Sequence, residues 1–204
     1  MKKLLLLIPL VVLIVGCGDE EGTVFYPLSV GNEWNFDMTM TETTPSDTTV
    51  VTGTQSQEIT AATTLDNGTA VFEQTMIMTM EIDTLTTIVD TSIEYIEETE
   101  DYLLAYDTKA DTVPDTVAAL PPEVGKTWNV DDSTTAEYIG QESVTVPAGT
   151  FSNCWKMVNI ESTSDTTWIY VAENVGPVKI NWTGVEADTI FQEMLMELET
   201  YTVQ

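Results

Sequence analysis

Apolar and polar residues alternate along several stretches of the chain. Every second residue of "WNFDMTM" (Trp34–Met40) is apolar, and "FEQTMIMTM" (Phe72–Met80) largely repeats this pattern. A period of two places alternate side chains on one face of a β-strand. Turn sequences such as Asp66-Asn67-Gly68 and Pro147-Ala148-Gly149 separate such runs, and Thr, Val and Ile are frequent. Since no long helical pattern connects the strands, we predict an all-β protein with an antiparallel sheet.

The pattern of one stretch near the C-terminus is compatible with either a helix or a strand. In "FQEMLMELE", a helix would place on one face Phe191, Met194, Leu195 and Leu198. A strand would instead align Met194, Met196 and Leu198. The neighbouring Thr residues and the terminal "TYTV" favour the strand over residues 190–199.

A repeated motif organises the chain into two parts. "YPLSVGNEWNF" and "LPPEVGKTWNV" share Pro-x-x-Val-Gly-x-x-Trp-Asn, with the second copy 94 positions later. We expect Gly31 and Gly125 to reverse the chain, and Trp34 and Trp128 to bury a ring where a strand begins. With Gly149 in a later Gly-Thr turn, these residues are interpreted as structural.

The repeat indicates two similar meanders within a single domain. Their boundaries are residues 24–106 and 120–204, joined by a connector at 107–119. We predict a single curved antiparallel sheet, or open half-barrel, of about ten strands. Whether the halves form one continuous sheet or two facing sheets stays open.

Methionines recur two residues apart in three of the predicted strands. If those strands are neighbours, their thioethers line one wall. Such a wall is most commonly plain core, but flexible thioethers also suit an irregular apolar ligand such as an acyl chain, and thioethers can bind Cu(I). The candidate ligand-binding residues are Met38, Met40, Phe72, Met76, Met78, Met80, Met194 and Met196.

The N-terminus has the layout of a secretory signal. Lys2 and Lys3 precede the apolar run Leu4–Val15, whose 12 residues are too few to span a bilayer. The following sequence, Ile14-Val15-Gly16-Cys17, resembles the lipobox of bacterial lipoproteins. That resemblance implies a signal peptide at 1–16 and acylation of Cys17, with an acidic spacer up to residue 23 and the β domain at 24–204. An ordinary signal peptide with a coincidental cysteine is the alternative.

The residues after Cys17 bear on the location. Asp19-Glu20-Glu21 resembles the surface-export signal of some Gram-negative lipoproteins, although a solvated spacer explains it equally well. We therefore expect a lipoprotein of the bacterial outer membrane, attached through its acyl chains and facing the periplasm or the cell surface.

Charge excludes several classes of function. The chain has 34 acidic and 6 basic residues, a formal net charge of −28, and neither His nor Arg. Nucleic-acid binding requires clustered cations, so no nucleic-acid partner is expected. Catalytic centres that use His are excluded, and only a hydrolase with paired carboxylates remains as an enzymatic alternative. Cys154 is interpreted as a small buried residue rather than a reactive thiol.

Calcium is the one metal that the acidic residues suggest. Hard oxygen ligands suit Ca²⁺, and the candidates are the turn at Asp66, Asp131-Asp132, and Asp107, Asp111 and Asp115 in the connector. A solvated acidic surface without metal is the simpler interpretation.

Three motifs carry a wider resemblance. "YPLSVGNEW", "VTVPAGTFSNCWKM" and "WIYVAENVGPVK" resemble a set of largely uncharacterised secreted bacterial lipoproteins. The resemblance implies a curved antiparallel sheet similar to that of half-barrel periplasmic lipoprotein carriers, and no known reaction. We expect a non-enzymatic envelope lipoprotein that binds an apolar ligand or acyl chain on its concave face. The alternative is a structural or interaction lipoprotein with a filled core.

Overall fold

The computed structural model describes residues 24–83, 86–161, 165–186 and 190–204. The predicted signal peptide, the spacer and Cys17 lie outside the described residues. In the described part all regular structure is β, and no helix there could span a membrane. The twelve described strands are β1 Glu33–Thr43, β2 Thr48–Thr64, β3 Ala70–Asp83, β4 Thr86–Glu98, β5 Tyr102–Tyr106, β6 Asp115–Ala119, β7 Thr127–Asn129, β8 Thr134–Val146, β9 Gly149–Glu161, β10 Thr166–Ala172, β11 Gly176–Glu186 and β12 Ile190–Thr202.

All twelve strands belong to one antiparallel sheet. Its order is β6-β5-β4-β3-β2-β1-β12-β11-β10-β9-β8-β7, so each half of the chain forms a six-stranded meander. The predicted single curved antiparallel sheet is therefore confirmed, and the halves are continuous. The sheet has twelve strands rather than about ten, because the short strands β5, β6 and β7 are too brief to show a clear alternation. Strand β6 lies within the predicted connector, and residues 190–199 are a strand.

The two outer strands approach each other and nearly close the sheet into a barrel-like form. At this seam, the N–H of Thr116 in β6 donates to the carbonyl oxygen of Val130, just after β7, at 2.9 Å. The indole Nε1 of Trp128 donates to the carbonyl oxygen of Thr116 at 3.1 Å. The opposite junction, between β1 and β12, is paired from Glu33 to Thr43. In the repeat, β7 corresponds to β1 and β6 corresponds to β12. The contact between β6 and β7 at the seam is therefore the equivalent of the β1–β12 junction, but it is shorter.

Both copies of the repeated motif form the same turn. Gly31 has φ +93° and Gly125 has φ +82°, a region that costs other residues strain. In each turn the residue after Gly donates its N–H back across the turn at 3.0 Å, from Asn32 to Ser29 and from Lys126 to Glu123. This is the pattern of a type II turn.

Each turn also makes the same pair of backbone hydrogen bonds with the second strand after it, which is β2 for the first turn and β8 for the second. The N–H groups of Gly31 and Gly125 donate at 2.8 Å to Ile59 and Tyr138, respectively. The N–H of Ile59 donates to Asn32 at 2.9 Å, and that of Tyr138 donates to Lys126 at 3.1 Å. Ile59 and Tyr138 are fully buried, so each turn closes one end of the core.

The N-terminal segment of the described chain packs into the core. The ring of Tyr26 stacks on Trp34 with centroids 5.1 Å apart, and Phe25 meets Tyr138 edge-on at 6.0 Å. Val24 and Asn174 exchange two hydrogen bonds, at 2.7 and 2.9 Å, which tie this segment to the turn before β11. The segment therefore links β1, β8 and β11 from within.

Candidate functional site

The seven methionines of the predicted wall share one face of the sheet. Met38 and Met40 of β1 lie directly opposite Met196 and Met194 of β12. Paired residues of neighbouring strands point to the same side of a sheet. Gly53 of β2 lies opposite Met38 of β1 and also opposite Met80 of β3, so Met80 shares this face. The other two members of β3 follow at spacings of two, so Met76 and Met78 face the same way. Met38 and Met196 are buried and the other five are half-buried.

Gly53 shows that part of this wall is tightly filled. A Cβ atom on Gly53 would collide with the carbonyl oxygen of Thr79 and would lie 3.1 Å from Cε of Met38 and from Cα of Met80. The thioether of Met38 therefore occupies the space that a side chain on β2 would need. Around Gly53 the wall is packed core rather than open surface.

A cavity of about 170 Å³ lies between the two halves of the chain. The first half and the N-terminal segment line it with Phe25, Tyr26, Gln57, Gln74, Met76, Glu94, Ile96, Leu103 and Val117. The second half lines it with Met157, Ile169, Val171, Pro177 and Ile180. The walls are mainly apolar, and both meanders are needed to form them.

Of the eight predicted ligand-binding residues, Met76 lines this cavity. Phe72 lines a separate depression with Ala62 and Val71. The other predicted residues lie on the same sheet face but outside the cavity wall. The predicted structural residues lie in the two type II turns, at the starts of β1 and β7, and in the β8–β9 hairpin.

Three polar residues of the cavity come from adjacent strands on one face. Gln74 of β3 lies opposite Glu94 of β4, and Gln57 of β2 lies opposite Met76, two residues from Gln74. The hydroxyl of Tyr26 donates to Oε1 of Gln74 at 2.7 Å. Burial, followed by the nearby charge of Glu94, raises the pKa of Tyr26 far above its ordinary value, so the phenol keeps its proton.

Gln57 has no such partner. The residue is only 7% exposed, and its side chain makes no hydrogen bond with any residue in the described part of the chain. Among the described residues, the fully buried side-chain atoms without a partner are Oδ1 of Asn159 and Oδ1 of Asn181, so the amide atoms of Gln57 keep contact with open space. The carboxamide of Gln57 therefore borders the cavity without a partner from the described part of the chain.

Glu94 carries the charge of the cavity. Partial burial raises the pKa of its carboxyl, and the negative charges of Asp107 and Asp115 raise it further. The four lysines of the described residues are engaged elsewhere: Lys109 with Thr63 and Glu73, Lys126 with Leu120, Lys156 with Glu142 and Lys179 with Glu197. The carboxyl group of Glu94 thus has no cationic partner in the described part of the chain.

The polar residues of the cavity were missed by the sequence analysis. A signal existed, because Gln74 occupies an apolar-register position in "FEQTMIMTM". A polar residue on the buried face of a strand needs a partner or a ligand. For Gln57 and Glu94 the alternation is weaker, and only the strand register reveals that they face inward.

The candidate calcium residues form no recognisable centre. Within the described ranges, no group of three or more carboxylates or thiols could hold a metal ion. Both carboxylate oxygens of Asp131 accept hydrogen bonds from Ser133 and Thr134, at 2.6 to 3.2 Å, which lower the pKa of Asp131. The donor set of the described residues therefore gives no support to a calcium site.

Cys154 is buried, and its thiol lies 3.5 Å from the carbonyl oxygen of Phe151. Burial raises its pKa, which favours the protonated and unreactive thiol. This placement agrees with its interpretation as a small core residue.

Comparison with known proteins shows similarity in structure. No protein-family model matches the chain, and no curated protein matches it. The chain is similar to a protein from Bacteroides fragilis that is predicted to be exported and has a YmcC-like fold. The TM-score is 0.50 and the identity 13%, over 88% of this chain and 99% of that one. The shared feature is the fold.

Two further solved structures are more distant. A predicted lipoprotein from Parabacteroides distasonis gives a TM-score of 0.46 at 16% identity, over 88% of this chain and 99% of that one. A DUF1329 family protein from Desulfovibrio piger gives 0.28 at 6% identity, over 87% and 88%.

Proposed function

We propose that this protein is a non-enzymatic lipoprotein of the bacterial cell envelope that binds a small, largely apolar ligand between its two halves. The cavity is the observation that carries this proposal. Apolar walls with a few placed polar groups are typical of small-molecule sites. The polar set of Tyr26, Gln57, Gln74 and Glu94 suits recognition, since it lacks the second carboxylate that a paired-carboxylate hydrolase needs.

The size of the cavity limits the ligand. An engineered apolar cavity of roughly 150 Å³ in another protein binds benzene. A volume of about 170 Å³ therefore suits an aromatic ring or a short chain. A complete membrane acyl chain is too large for it, so the ligand is smaller than the acyl chain expected from the sequence, or only the end of such a chain enters.

The sequence of the N-terminus supports attachment to a membrane. Cys17 follows a short apolar run and would carry the acyl chains, as in the lipoproteins that its lipobox resembles. Phe25, which lines the cavity, is eight residues further on. At roughly 3.3 Å per residue, the cavity lies within about 26 Å of the anchor. The similar Bacteroides fragilis protein is predicted to be exported, which agrees with an envelope location.

Native mass spectrometry of the exported protein tests the proposal. The protein is purified with its anchor, and we expect a co-purifying mass of a few hundred daltons or less that organic solvent releases. Ile96→Phe should abolish it, since Ile96 is 4% exposed and lines the cavity. Ile93→Phe on the same strand is the control, because Ile93 is 44% exposed. Wild-type protein free of any small molecule would contradict ligand binding, and Cys17→Ser protein that stays with membranes would contradict the anchor.

A structural or interaction role is the second candidate, and the filled part of the core favours it. Trp34, Phe36, Ile59 and Leu198 are at most 1% exposed, so much of the interior is solid. In that case the cavity would hold only water, and Ile96→Phe would raise stability by filling it. Unfolding of the protein as isolated from cells distinguishes the two roles, because Ile96→Phe would lower the stability if it displaced a bound ligand.

A further inference from the structure

We propose that the ligand of the cavity is a small organic cation: an amine with an apolar body, whose ammonium group lies between Glu94 and Gln57. The inference rests on the proposed function and deepens it by assigning a charge to the ligand. The apolar body would lie against Met76, Ile96 and Ile180.

Hydrogen bonding gives the first argument. Gln57 lines the cavity, and its carboxamide has no hydrogen-bond partner among the described residues, whereas Gln74 already accepts a bond from Tyr26. An ammonium group has several N–H donors and no acceptor. It could donate to Oε1 of Gln57 and to the carboxylate of Glu94, two acceptors that line the same cavity.

Charge gives the second, independent argument. Glu94 has Asp107 and Asp115 near it, and no lysine among the described residues is paired with any of the three. Burial raises the pKa of Glu94, and the negative charges of Asp107 and Asp115 raise it further. A ligand that brings a positive charge relieves the repulsion, whereas a carboxylate such as a fatty acid would add to it. With a formal net charge of −28, the whole chain attracts cations in the same way.

The arrangement of the acidic groups favours an organic cation over a metal ion. No three carboxylates in the described ranges converge closely enough to bind a metal. Instead, one carboxylate, two carboxamides and the Tyr26 phenol line a mainly apolar space of about 170 Å³. Such a site matches a molecule with one charged end and a hydrocarbon end.

Three probes of nearly equal size test the charge of the ligand: 2-phenylethylamine, 2-phenylethanol and phenylacetate. Their affinities are measured by calorimetry with the anchored protein in phosphatidylcholine nanodiscs at pH 7 and low salt, with empty nanodiscs as the blank. We expect the amine to bind about tenfold more tightly than the alcohol, because its bonds are charge-assisted. Phenylacetate should not bind measurably.

Two variants locate the interaction. Glu94→Gln should reduce the affinity for the amine to the level of the alcohol, while the affinity for the alcohol should not change. Glu81→Gln, an exposed position of β3 outside the cavity, makes the same charge change and should retain the preference. Gln57→Leu should also weaken binding of the amine, because it removes the carboxamide and keeps a side chain of similar size in the cavity wall.

The outcomes separate the two proposals. Equal affinity for amine and alcohol, or a preference that survives Glu94→Gln, would overturn the cationic ligand while leaving an apolar ligand in place. If none of the three probes binds but a small molecule co-purifies with the protein, the inference fails and the proposed function stands. If nothing binds and nothing co-purifies, both fail.

Discussion

The indole Nε1 of Trp34 donates a 2.6 Å hydrogen bond to the carbonyl oxygen of Val175, 141 residues further along the chain. The ring is fully buried and stacks on the ring of Tyr26. A Cβ on Gly176 would lie only 3.2 Å from the same nitrogen. One side chain thus joins the first strand, the N-terminal segment and the turn before β11.

We predict that Trp34→Phe lowers the free energy of unfolding by about 2–3 kcal/mol, because it leaves a void and an unpaired carbonyl. The counterpart change, Trp128→Phe, should cost about 1 kcal/mol, since Trp128 lies at the seam, is 8% exposed and makes a longer bond of 3.1 Å. Denaturant unfolding measures both. Equal losses would contradict the view that the seam is the weaker of the two equivalent junctions.

Gly53→Ala should destabilise the protein by about 2 kcal/mol, because the new methyl group meets the backbone of Thr79 and the end of Met38. Gly140→Ala in β8 is the matched control, since a Cβ there meets nothing within 4 Å. We expect the control to change stability by about 0.5 kcal/mol or less. Thermal unfolding of the two variants provides the comparison, and a neutral Gly53→Ala would show that the methionine wall is loosely packed.

Substitution of the glycine should destabilise both type II turns, and Gly31 somewhat more, because a Cβ there would lie 3.0 Å from Nε2 of Gln204. Gly31→Ala and Gly125→Ala each force a side chain into the left-handed region, which costs about 1–2 kcal/mol. Nothing lies within 4 Å of a Cβ on Gly125, so its cost comes from the backbone alone. Gly125→Asn should therefore recover part of the loss, because Asn tolerates this region better. Unfolding free energies of the three variants decide this, and an unaffected Gly125→Ala would contradict the turn assignment.

Stability should depend on pH with opposite signs at two acidic residues. The pKa of Glu94 is raised in the folded state, so its ionisation opposes folding: the stability present below its ordinary pKa is lost as the pH rises through the raised value. Glu94→Gln should raise the melting temperature at pH 7 and change it little near pH 4.

Asp131 is the opposing case and serves as the control. Hydrogen bonds from Ser133 and Thr134 lower its pKa, so the stability they contribute is present above its ordinary pKa and is lost as the pH falls through the lowered value. Asp131→Ala should lower the melting temperature at pH 7 and have less effect in acid. Melting curves from pH 3 to 8 measure both residues; effects of the same sign would refute this assignment.

The sequence predicted the parts of the fold that rest on local patterns. Spacings of two placed the methionines of β1, β3 and β12 on the sheet face that they share, and the Pro-x-x-Val-Gly repeat predicted two similar halves. In these strands the alternation extends over enough residues to define a face. Where a strand has three or five residues, as in β5 to β7, no period can be recognised, and the seam could not be predicted.

The cavity depends on register, which sequence patterns do not specify. Gln57, Gln74 and Glu94 come together through the register in which β2 pairs with β3 and β3 with β4, which the alternation along a single strand does not reveal. A shift of one position would turn Gln57 to the outside. The methionine wall was visible because it repeats along single strands, whereas the polar group takes one residue from each strand.

The pairing of β1 with β12 has a consequence for how the molecule is made. Trp34 of β1 lies opposite Tyr201 of β12. One edge of β1 can therefore form its hydrogen bonds only after β12 is present. Contacts of such long sequence separation slow folding, because the intervening chain must be ordered first. Synthesis from the N-terminus therefore leaves one side of β1 unpaired until β12 has been made.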